Sequence, residues 1–323
     1  MKCPLPKESI RQLLRISDFS IVEILGGISK QVYKISTQTE SYMLYIWLRP
    51  YDGALTENQI NGVEYLFPDG FQYFMYNTEL LCNIGVRVPK IIVSGHHNDS
   101  DFNYAIVECF KGFSVNEYMQ SGGDISIFAD KIVDAMSKMS IQKRNYYGSP
   151  IETKPNNISA TQLIFNFYAE ELNIASKLNS EINDFKKNIL TLMQKNFSKI
   201  VQTDNQEYSL VHGELTPPHI FILDDGEIGL IDIEGVKYFD VEYDWAVIDL
   251  MYSGKIPLPN NINMEKIEFY KICLKIGYMS VAADYLANID SNNKFFIHLH
   301  ESHLRDIKSV ETVYSADKYD TNR

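Results

Sequence analysis

The fold is decided by residues 211–234, VHGELTPPHIFILDDGEIGLIDIE, in which a His-Gly-acid motif precedes two apolar runs joined by an Asp-Gly pair at 225–226. An Asp-Gly pair between apolar runs is the strongest short-range signal for a β-hairpin. A two-residue loop at this pair would set His219 directly opposite Asp232, with Cβ atoms about 5 Å apart. Glu214 precedes the same end of the hairpin. The stretch therefore predicts that two acids and an imidazole converge.

A functional role does not follow from the hairpin alone, because a polar pair at an open strand end is often simply solvated. The His-Gly-acid lead-in favours function. In a kinase catalytic loop, an acid takes the proton of the substrate hydroxyl and a residue five positions later helps to hold metal. An Asp on the next strand then binds the metal that bridges the phosphates. Glu214, His219 and Asp232 follow this order.

Composition bounds the class of protein. With 323 residues, 45% of them hydrophobic and 22% charged, the chain has an ordinary globular balance and room for about two domains. No apolar run reaches the ~18 residues needed to span a bilayer, and the N-terminus lacks the apolar core of a signal peptide. The four cysteines are scattered, as expected for reduced thiols. We therefore expect a cytoplasmic protein with no membrane partner.

The acidic balance of the chain limits its partners. A net charge of −12 argues against nucleic acid, because phosphate backbones are bound by basic patches. Acidity would steer a cationic small molecule toward the protein. The alternative, that the charge only keeps the protein soluble, stays open. The sequence does not indicate the oligomeric state.

Apolar periodicity divides the chain into a sheet-rich and a helix-rich part. The first part has predicted helices at 5–17 and 70–84 and predicted strands at 19–25, 32–36, 42–48, 90–94 and 104–108. The second has predicted helices at 128–139, 160–197 (with possible breaks), 264–286 and 295–310, together with the hairpin. We expect an α+β fold with a sheet-rich lobe at 1–110 and a helical lobe at 111–323.

The order of these parts resembles the aminoglycoside phosphotransferase and choline kinase-like enzymes, which share the bilobal protein kinase-like fold. The resemblance runs from about residue 19 to residue 253. Its segments are the nucleotide-covering loop Gly26-Gly27-Ile28-Ser29 with Val32-Tyr33, the helix end at Gly85-Val86 and Val88-Pro89, the hinge Ile106-Val107-Glu108 with Gly112, the catalytic loop His212-Gly213-Glu214, the metal segment Ile231-Asp232-Ile233-Glu234, and the acid-rich stretch with Asp240 and Asp244-Trp245-Ala246.

This resemblance implies a phosphotransferase that uses ATP or GTP and Mg²⁺ or Mn²⁺ to phosphorylate a hydroxyl of a small molecule. It also implies that the lobe at 1–110 binds the nucleotide and that the lobe at 111–323 holds the catalytic loop and the substrate site. The catalytic residues would be Glu214, His212 and His219, with His212 ordering the loop. The metal ligands would be Asp232, His219 and Glu234. The nucleotide would contact Gly26, Gly27, Ser29, Lys30, Glu108 and Phe110.

Several positions depart from the family pattern. Glu214 stands where the family has Asp, and His219 stands where it has a metal-binding Asn. The third strand has Tyr45 in place of the phosphate-contacting Lys or Arg, and the nearest helix acid is Glu79. Lys30 could supply the missing charge, or it could be a solvated turn lysine. The alternative function is therefore a catalytically impaired kinase-like module that binds a nucleotide or another ligand. A protein kinase is disfavoured, since no activation segment follows the metal motif.

Other polar residues received weaker roles. Glu170, Glu171 or Glu242 could meet a cationic group of the substrate. Asp244 is expected to accept hydrogen bonds from loop amides rather than to act in catalysis. The cluster of His298, His300 and His303 lacks the partners of a zinc site.

Overall fold

The computed structural model describes residues 3–24, 30–48, 66–151, 158–200 and 207–320, with side chains up to residue 308. The predicted nucleotide-covering residues Gly26, Gly27 and Ser29 lie outside the described residues.

The first part of the chain forms a five-stranded antiparallel sheet with the strand order β1-β2-β3-β5-β4. Its strands are β1 Ser20–Ile24, β2 Gln31–Ser36, β3 Ser41–Leu48, β4 Ile91–His97 and β5 Phe102–Glu108. All five were predicted, with errors at the ends only. Helix α1, Lys7–Leu14, packs its apolar side on one face of the sheet through Ile10, while Tyr45 and Trp47 face the other way, into the main core. The face with Tyr45 is the one that meets the rest of the molecule.

Helix α2, Phe71–Asn83, ends at the predicted glycine. Gly85 adopts φ +77°, its N–H donates to Cys82 O, and Val86 N–H donates to Leu81 O. This is a Schellman motif, in which a left-handed residue satisfies the last helical carbonyls. Because Leu81 and Val86 are both buried, the motif also fixes how the helix packs under the sheet.

The hinge leads directly into the second part of the chain. After β5, strand β6, Gly112–Ser114, pairs with β9, Ile220–Leu223. Gly112 has φ +138°, and a Cβ there would lie 2.1 Å from Ile222 O, so only glycine fits this crossing. Helix α3, Val115–Gln120, then starts with a capping box between Ser114 and Glu117.

The second part is mainly helical. Its remaining helices are α4 Ala129–Ser140, α5 Ala160–Leu178, α6 Ser180–Ile200, α7 Val241–Tyr252, α8 Met264–Asn288 and α9 Lys294–Asp320. The long helix predicted at 160–197 is broken at Asn179. Its extended backbone ends α5, and its Oδ1 accepts hydrogen bonds from the N–H groups of Glu181 and Ile182 at the start of α6. None of these described helices is long and apolar enough to cross a membrane.

Two small sheets accompany these helices, where the sequence predicted one hairpin. Strand β10, Ile228–Leu230, pairs with β9, and β9 pairs with β6. Strands β7 Lys143–Arg144, β8 Tyr208–Val211 and β11 Lys237–Phe239 form the second sheet. Strands of two to four residues are too short for periodicity to reveal.

The predicted register of the hairpin was wrong by one residue. Ile228 pairs with Ile222, and Ile231 N–H donates to His219 O, so Ile231 rather than Asp232 lies opposite His219. The loop has three residues, 224–226, and its last residue, Gly226, adopts φ +78°. A type I turn followed by a left-handed glycine is the next most common hairpin loop after the two-residue turns.

The buried core is continuous across both parts of the chain. One cluster joins Tyr45 and Val107 of the sheet to Leu215 near the hairpin and to Phe269 of α8. The boundary at residues 110 and 111 remains a prediction.

Candidate functional site

The loop after β8 is held by one buried acid. Asp244, in the first turn of α7, accepts hydrogen bonds from the backbone N–H of His212 through Oδ2 and of Gly213 through Oδ1, both at 2.8 Å. Burial raises the pKa of Asp244 to about 6, although the two backbone donors act to lower it. Asp244 is thus an acceptor for loop amides, as its sequence position suggested.

His212 connects the loop to the hairpin. Its ring is fully buried, and Nε2 lies 3.0 Å from Ile231 O, which can only accept, so Nε2–H donates. Nδ1 then accepts the backbone N–H of Glu214 at 3.3 Å. Burial, with a smaller effect of His219, lowers the pKa of His212 to about 4, so the ring is neutral. These contacts order the loop and leave no ring nitrogen free for substrate.

A buried lysine lies against the same loop. Gly213 has φ +87°, and a Cβ there would lie 2.7 Å from the Nζ of Lys237. The ammonium is surrounded by the rings of Phe67, Phe239 and Tyr243, with Nζ 5.1 to 5.8 Å from their centroids. Burial lowers the pKa of Lys237 to about 8, although the carboxylates of Asp244 and Glu214 act to raise it. Lys237 was not among the site residues expected from the sequence.

The geometry of the loop fixes the orientation of His219. A 3₁₀ turn at Pro217–His219 follows Thr216, and Nδ1 of His219 lies 2.9 Å from the carbonyl oxygen of Glu214. Because that oxygen can only accept, Nδ1 carries the proton, and Thr216 Oγ1 lies 3.2 Å from the same nitrogen. In the neutral ring, Nε2 is then the nitrogen that offers a lone pair to the cleft.

Asp232 meets that lone pair from the hairpin. Its Oδ2 lies 3.5 Å from His219 Nε2. In a regular strand, the corrected register would turn the Asp232 side chain to the opposite face. Asp232 instead has φ +60°, a conformation that is rare outside glycine and is typical of functional sites. The predicted neighbours thus meet through a strained residue after the strand.

Glu214, His219 and Asp232 form a cluster whose ligand atoms all lie within 4.8 Å of one another. A carboxylate oxygen and a neutral imidazole nitrogen that face each other both offer lone pairs, so the arrangement is favourable only with a proton or a cation between them. Two carboxylates and one imidazole suit Mn²⁺ better than Mg²⁺, which prefers oxygen ligands. The cluster therefore fits a divalent cation.

The carboxylate of Glu214 is exposed at the cleft, yet the surrounding protein displaces much of its water. This desolvation raises the pKa of Glu214, although His219 acts to lower it. At Asp232, burial also acts to raise the pKa, but Lys30 and His219 outweigh it and hold the pKa below its usual value. The two acids of the cluster are thus shifted in opposite directions.

Lys30 lies on the other side of Asp232. Its Nζ is 2.5 Å from Oδ1 of Asp232 and 2.7 Å from Oε1 of Glu234. It also lies 5.5 Å from the centroid of the Tyr45 ring. Burial acts to lower the pKa of Lys30, but Glu234 and Asp232 raise it above its ordinary value. Lys30 is therefore a buried ammonium at the centre of the site and not a solvated turn lysine.

Helix α2 presents an amide, rather than an acid, to the candidate site. Asn77 is fully buried on the side of α2 that faces the cleft, whereas Glu79, the nearest candidate for the helix acid, is exposed. Asn77 Nδ2 donates to the carbonyl oxygens of Ile233 and Glu234 at 2.8 and 3.1 Å.

The hinge offers the nucleotide fewer hydrogen-bonding groups than the sequence suggested. The Glu108 N–H donates to Lys90 O at 2.8 Å, and its carboxylate pairs with Arg87. The Phe110 ring covers Gly229 of β10, where a Cβ would lie 2.5 Å from the ring. The backbone N–H of Glu108 is thus already used, while Phe110 provides an apolar surface between the two parts of the chain.

The acids proposed for a cationic substrate are not part of the cluster. Burial raises the pKa of Glu242 and of Glu171, and the nearby acids Asp240 and Asp284 act in the same direction. In the described part of the chain, Glu214, His219 and Asp232 are grouped closely enough to share a metal ion, and His298, His300 and His303 are not.

The sequence matches no protein-family model and no curated protein. The structure is similar to solved structures of small-molecule kinases. A thermostable mutant of aminoglycoside phosphotransferase APH(4)-Ia is 11% identical, with a TM-score of 0.66 over 94% of this chain and 98% of that one. Choline kinase LicA from Streptococcus pneumoniae is 17% identical, with a TM-score of 0.60 over 94% and 97%. A putative fructosamine-3-kinase from Haemophilus somnus is 14% identical, with a TM-score of 0.53 over 93% and 97%.

The chain has the bilobal protein kinase-like fold. The fold class expected from the sequence is therefore confirmed. At these identities, the likeness concerns the architecture, so the roles of individual residues rest on the geometry of this site. Within the kinase-like fold, the cluster lies where β8, the hairpin and the small-lobe sheet meet.

Proposed function

We propose that the protein is a phosphotransferase that moves the γ-phosphate of ATP or GTP to a hydroxyl group of a small molecule. The observation that carries this proposal is the convergence of Glu214, His219 and Asp232 within 4.8 Å, beside the buried ammonium of Lys30. Phosphoryl transfer requires these parts: an acid for the acceptor hydroxyl, a metal site, and a cation for the phosphates.

The nucleotide would lie between the sheet and the hairpin. Its phosphates would contact Lys30 and the loop at Gly26, Gly27 and Ser29, and its base would lie against the hinge at Glu108 and Phe110. Aminoglycoside phosphotransferase APH(4)-Ia has been solved with AMP-PNP and hygromycin B, and LicA with AMP. Those complexes support a nucleotide site in this fold. The two-lobe division at residue 110 is part of the same proposal.

Asp232 and His219 would hold the metal ion, Mg²⁺ or Mn²⁺, whereas Glu234, the third ligand expected from the sequence, lies beside Lys30. When bound, the metal would neutralise charge on the phosphates. The tautomer of His219, fixed by the Glu214 carbonyl, is the one that leaves Nε2 able to act as a ligand.

Glu214 would receive the proton of the acceptor hydroxyl. As the acceptor oxygen forms its bond to the γ-phosphorus, the bond from phosphorus to the bridging oxygen breaks, and the nucleoside diphosphate leaves. A carboxylate with a raised pKa is a stronger base than an ordinary one, which suits this task. His212 and Asp244 would keep the loop in place and would not touch the substrate.

The acceptor would be a small molecule, such as an aminoglycoside-like compound or an amino alcohol. Its proposed cationic character rests on the net charge of −12. Glu170, Glu171 or Glu242 would meet that charge.

A second candidate is a kinase-like module that binds a nucleotide without turnover. It is favoured by one observation: Lys30 already pairs with Asp232 and Glu234, so part of the negative charge of the site is compensated before any ligand binds.

The experiment measures phosphoryl transfer from ATP and GTP with Mg²⁺ or Mn²⁺ over a panel of amino sugars, amino alcohols and nucleosides. We expect turnover that falls by about 10²- to 10⁴-fold in Glu214→Gln, the range for loss of a general base. Glu227→Gln, an exposed acid of the hairpin loop, is the matched control. Binding of nucleotide without turnover would select the second candidate, and no binding at all would contradict both.

A further inference from the structure

Glu234 is the buried acid whose surroundings the proposed function does not explain. It is 4% exposed, and the described side chain that pairs with it is Lys30, whose Nζ lies 2.7 Å from Oε1. A buried carboxylate costs free energy unless a partner compensates its charge, so Glu234 depends on Lys30.

The two oxygens of Asp232 divide the site into two sides. Oδ2 faces His219 and, beyond it, Glu214, while Oδ1 faces Lys30. Glu234 lies on the Lys30 side and is not a member of the cluster that could hold a metal. This placement suits a partner of the lysine better than a third metal ligand.

Lys30 lies beside Tyr45, which stands at the strand position where kinases of this fold have the phosphate-contacting lysine. Tyr45 pairs with Val32 in the antiparallel ladder of β2 and β3, and Lys30 directly precedes β2. The Lys30 Nζ lies 5.5 Å from the centroid of the Tyr45 ring and 2.5 Å from Oδ1 of Asp232. The ammonium therefore reaches Asp232 alongside the Tyr45 ring.

The acid that pairs with the lysine also lies on a different element. In protein kinases, the lysine of the third strand pairs with a glutamate of the small-lobe helix. Here the buried helix residue is Asn77, an amide, and it donates to the backbone of Ile233 and Glu234. The helix thus fixes the backbone of the segment that carries Glu234, and that segment supplies the carboxylate.

We propose that Lys30 and Glu234 are a rebuilt lysine–acid pair, in which Glu234 is a positioning residue that holds the Lys30 ammonium for the nucleotide phosphates. This inference rests on the proposed function for its ligand. It replaces the metal-ligand role expected of Glu234 from the sequence.

The test is calorimetric titration of the full chain with ADP, once in Mg²⁺ and once in EDTA. Lys30→Met should weaken ADP binding at least tenfold, and Glu234→Gln three- to tenfold, in both conditions. The double variant should bind no more weakly than Lys30→Met alone. Lys34→Met, an exposed lysine on β2, and Glu227→Gln serve as controls and should keep wild-type affinity.

Each other outcome counts against the inference. A loss in Glu234→Gln that appears only with Mg²⁺ would make Glu234 a metal ligand, and additive losses would mean that the two residues act separately. If the wild type binds no ADP, the proposed function fails, and the pair is then judged from urea unfolding of the four proteins. Coupled shifts in the unfolding midpoint would support the pair, and additive shifts would overturn it.

Discussion

Asp244 and Glu234 are two buried acids near the candidate site, and they are held in different ways. Both oxygens of Asp244 accept a backbone N–H at 2.8 Å. Glu234 instead faces a flexible cation, Lys30, whose Nζ lies 2.7 Å from Oε1. Backbone donors cannot leave without unfolding the loop, whereas a lysine side chain can exchange a carboxylate for a phosphate. The first acid is a scaffold and the second belongs to an exchangeable pair.

The largest expected effect comes from removing the scaffold acid. Asp244→Ala should lower the free energy of unfolding by about 3 kcal/mol, because two charge-assisted hydrogen bonds are lost and two buried N–H groups are left unpaired. Urea unfolding measures this. Asp249→Ala on the same helix, which removes a partly exposed ion pair with Lys271, should cost less than about 1 kcal/mol. Equal losses in the two variants would contradict the scaffold role.

A second prediction concerns Lys237, the buried cation that lies against the loop at Gly213. With its pKa near 8 in the folded protein and near 10.5 when unfolded, the folded state binds fewer protons between these values. The free energy of unfolding should therefore rise by about 2 kcal/mol as the pH rises from 8 to 9.5. The same amount should be lost as the pH falls back to 8. The difference in unfolding free energy between wild type and Lys237→Met isolates this change. A difference that does not vary with pH would show that Lys237 is not desolvated.

A third prediction concerns Asn77, whose side-chain amide links α2 to the segment that carries Glu234. Asn77→Ala should cost about 1.5 kcal/mol, because the Glu234 carbonyl loses its Asn77 donor and the Ile233 carbonyl keeps only the longer bond from the Val236 N–H, at 3.3 Å, among the described residues. Thermal and urea unfolding measure it. Asn196→Ala is the control for a buried amide, since within the described part of the chain Asn196 donates to Leu192 O of its own helix and should cost less. A smaller cost at Asn77 than at Asn196 would mean that the tie between α2 and this segment is weak.

The smallest effect on stability is expected at Glu234. Glu234→Gln should change the free energy of unfolding by less than about 1 kcal/mol, because the lost attraction to Lys30 is offset by relief from burying an unsatisfied charge. Asp232 keeps Lys30 paired in this variant. A loss as large as that of Asp244→Ala would erase the distinction between the two acids.

The sequence predicted the strands of the large sheet, the end of α2 at Gly85 and the neighbourhood of His219 and Asp232. These features depend on local signals: apolar alternation, a left-handed glycine, and an Asp-Gly turn. The register was missed because Asp224-Asp225-Gly226 allows both a two- and a three-residue loop, and only packing selects one. Asp232 then restores the contact through its own φ of +60°.

The ion pair between Lys30 and Asp232 could not be predicted from such local signals. Lys30 and Asp232 are 202 residues apart, so their contact depends on how the sheet lies against the hairpin. The choice of Asn77 over Glu79 depends on the rotation of α2 about its axis, which a weakly amphipathic helix does not reveal. A role for Lys237 was not expected, because a lysine in a short strand is normally solvated.

The central claim is that Glu214, His219 and Asp232 form the metal-dependent centre of a phosphotransferase. The most direct measurement is pulsed electron paramagnetic resonance of the protein with Mn²⁺ and ATP. We predict nitrogen coupling from an imidazole in the wild type, and its loss in His219→Asn, in which an oxygen ligand keeps the metal bound. Coupling that persists in His219→Asn, or a wild type that binds no Mn²⁺ with ATP, would contradict the claim.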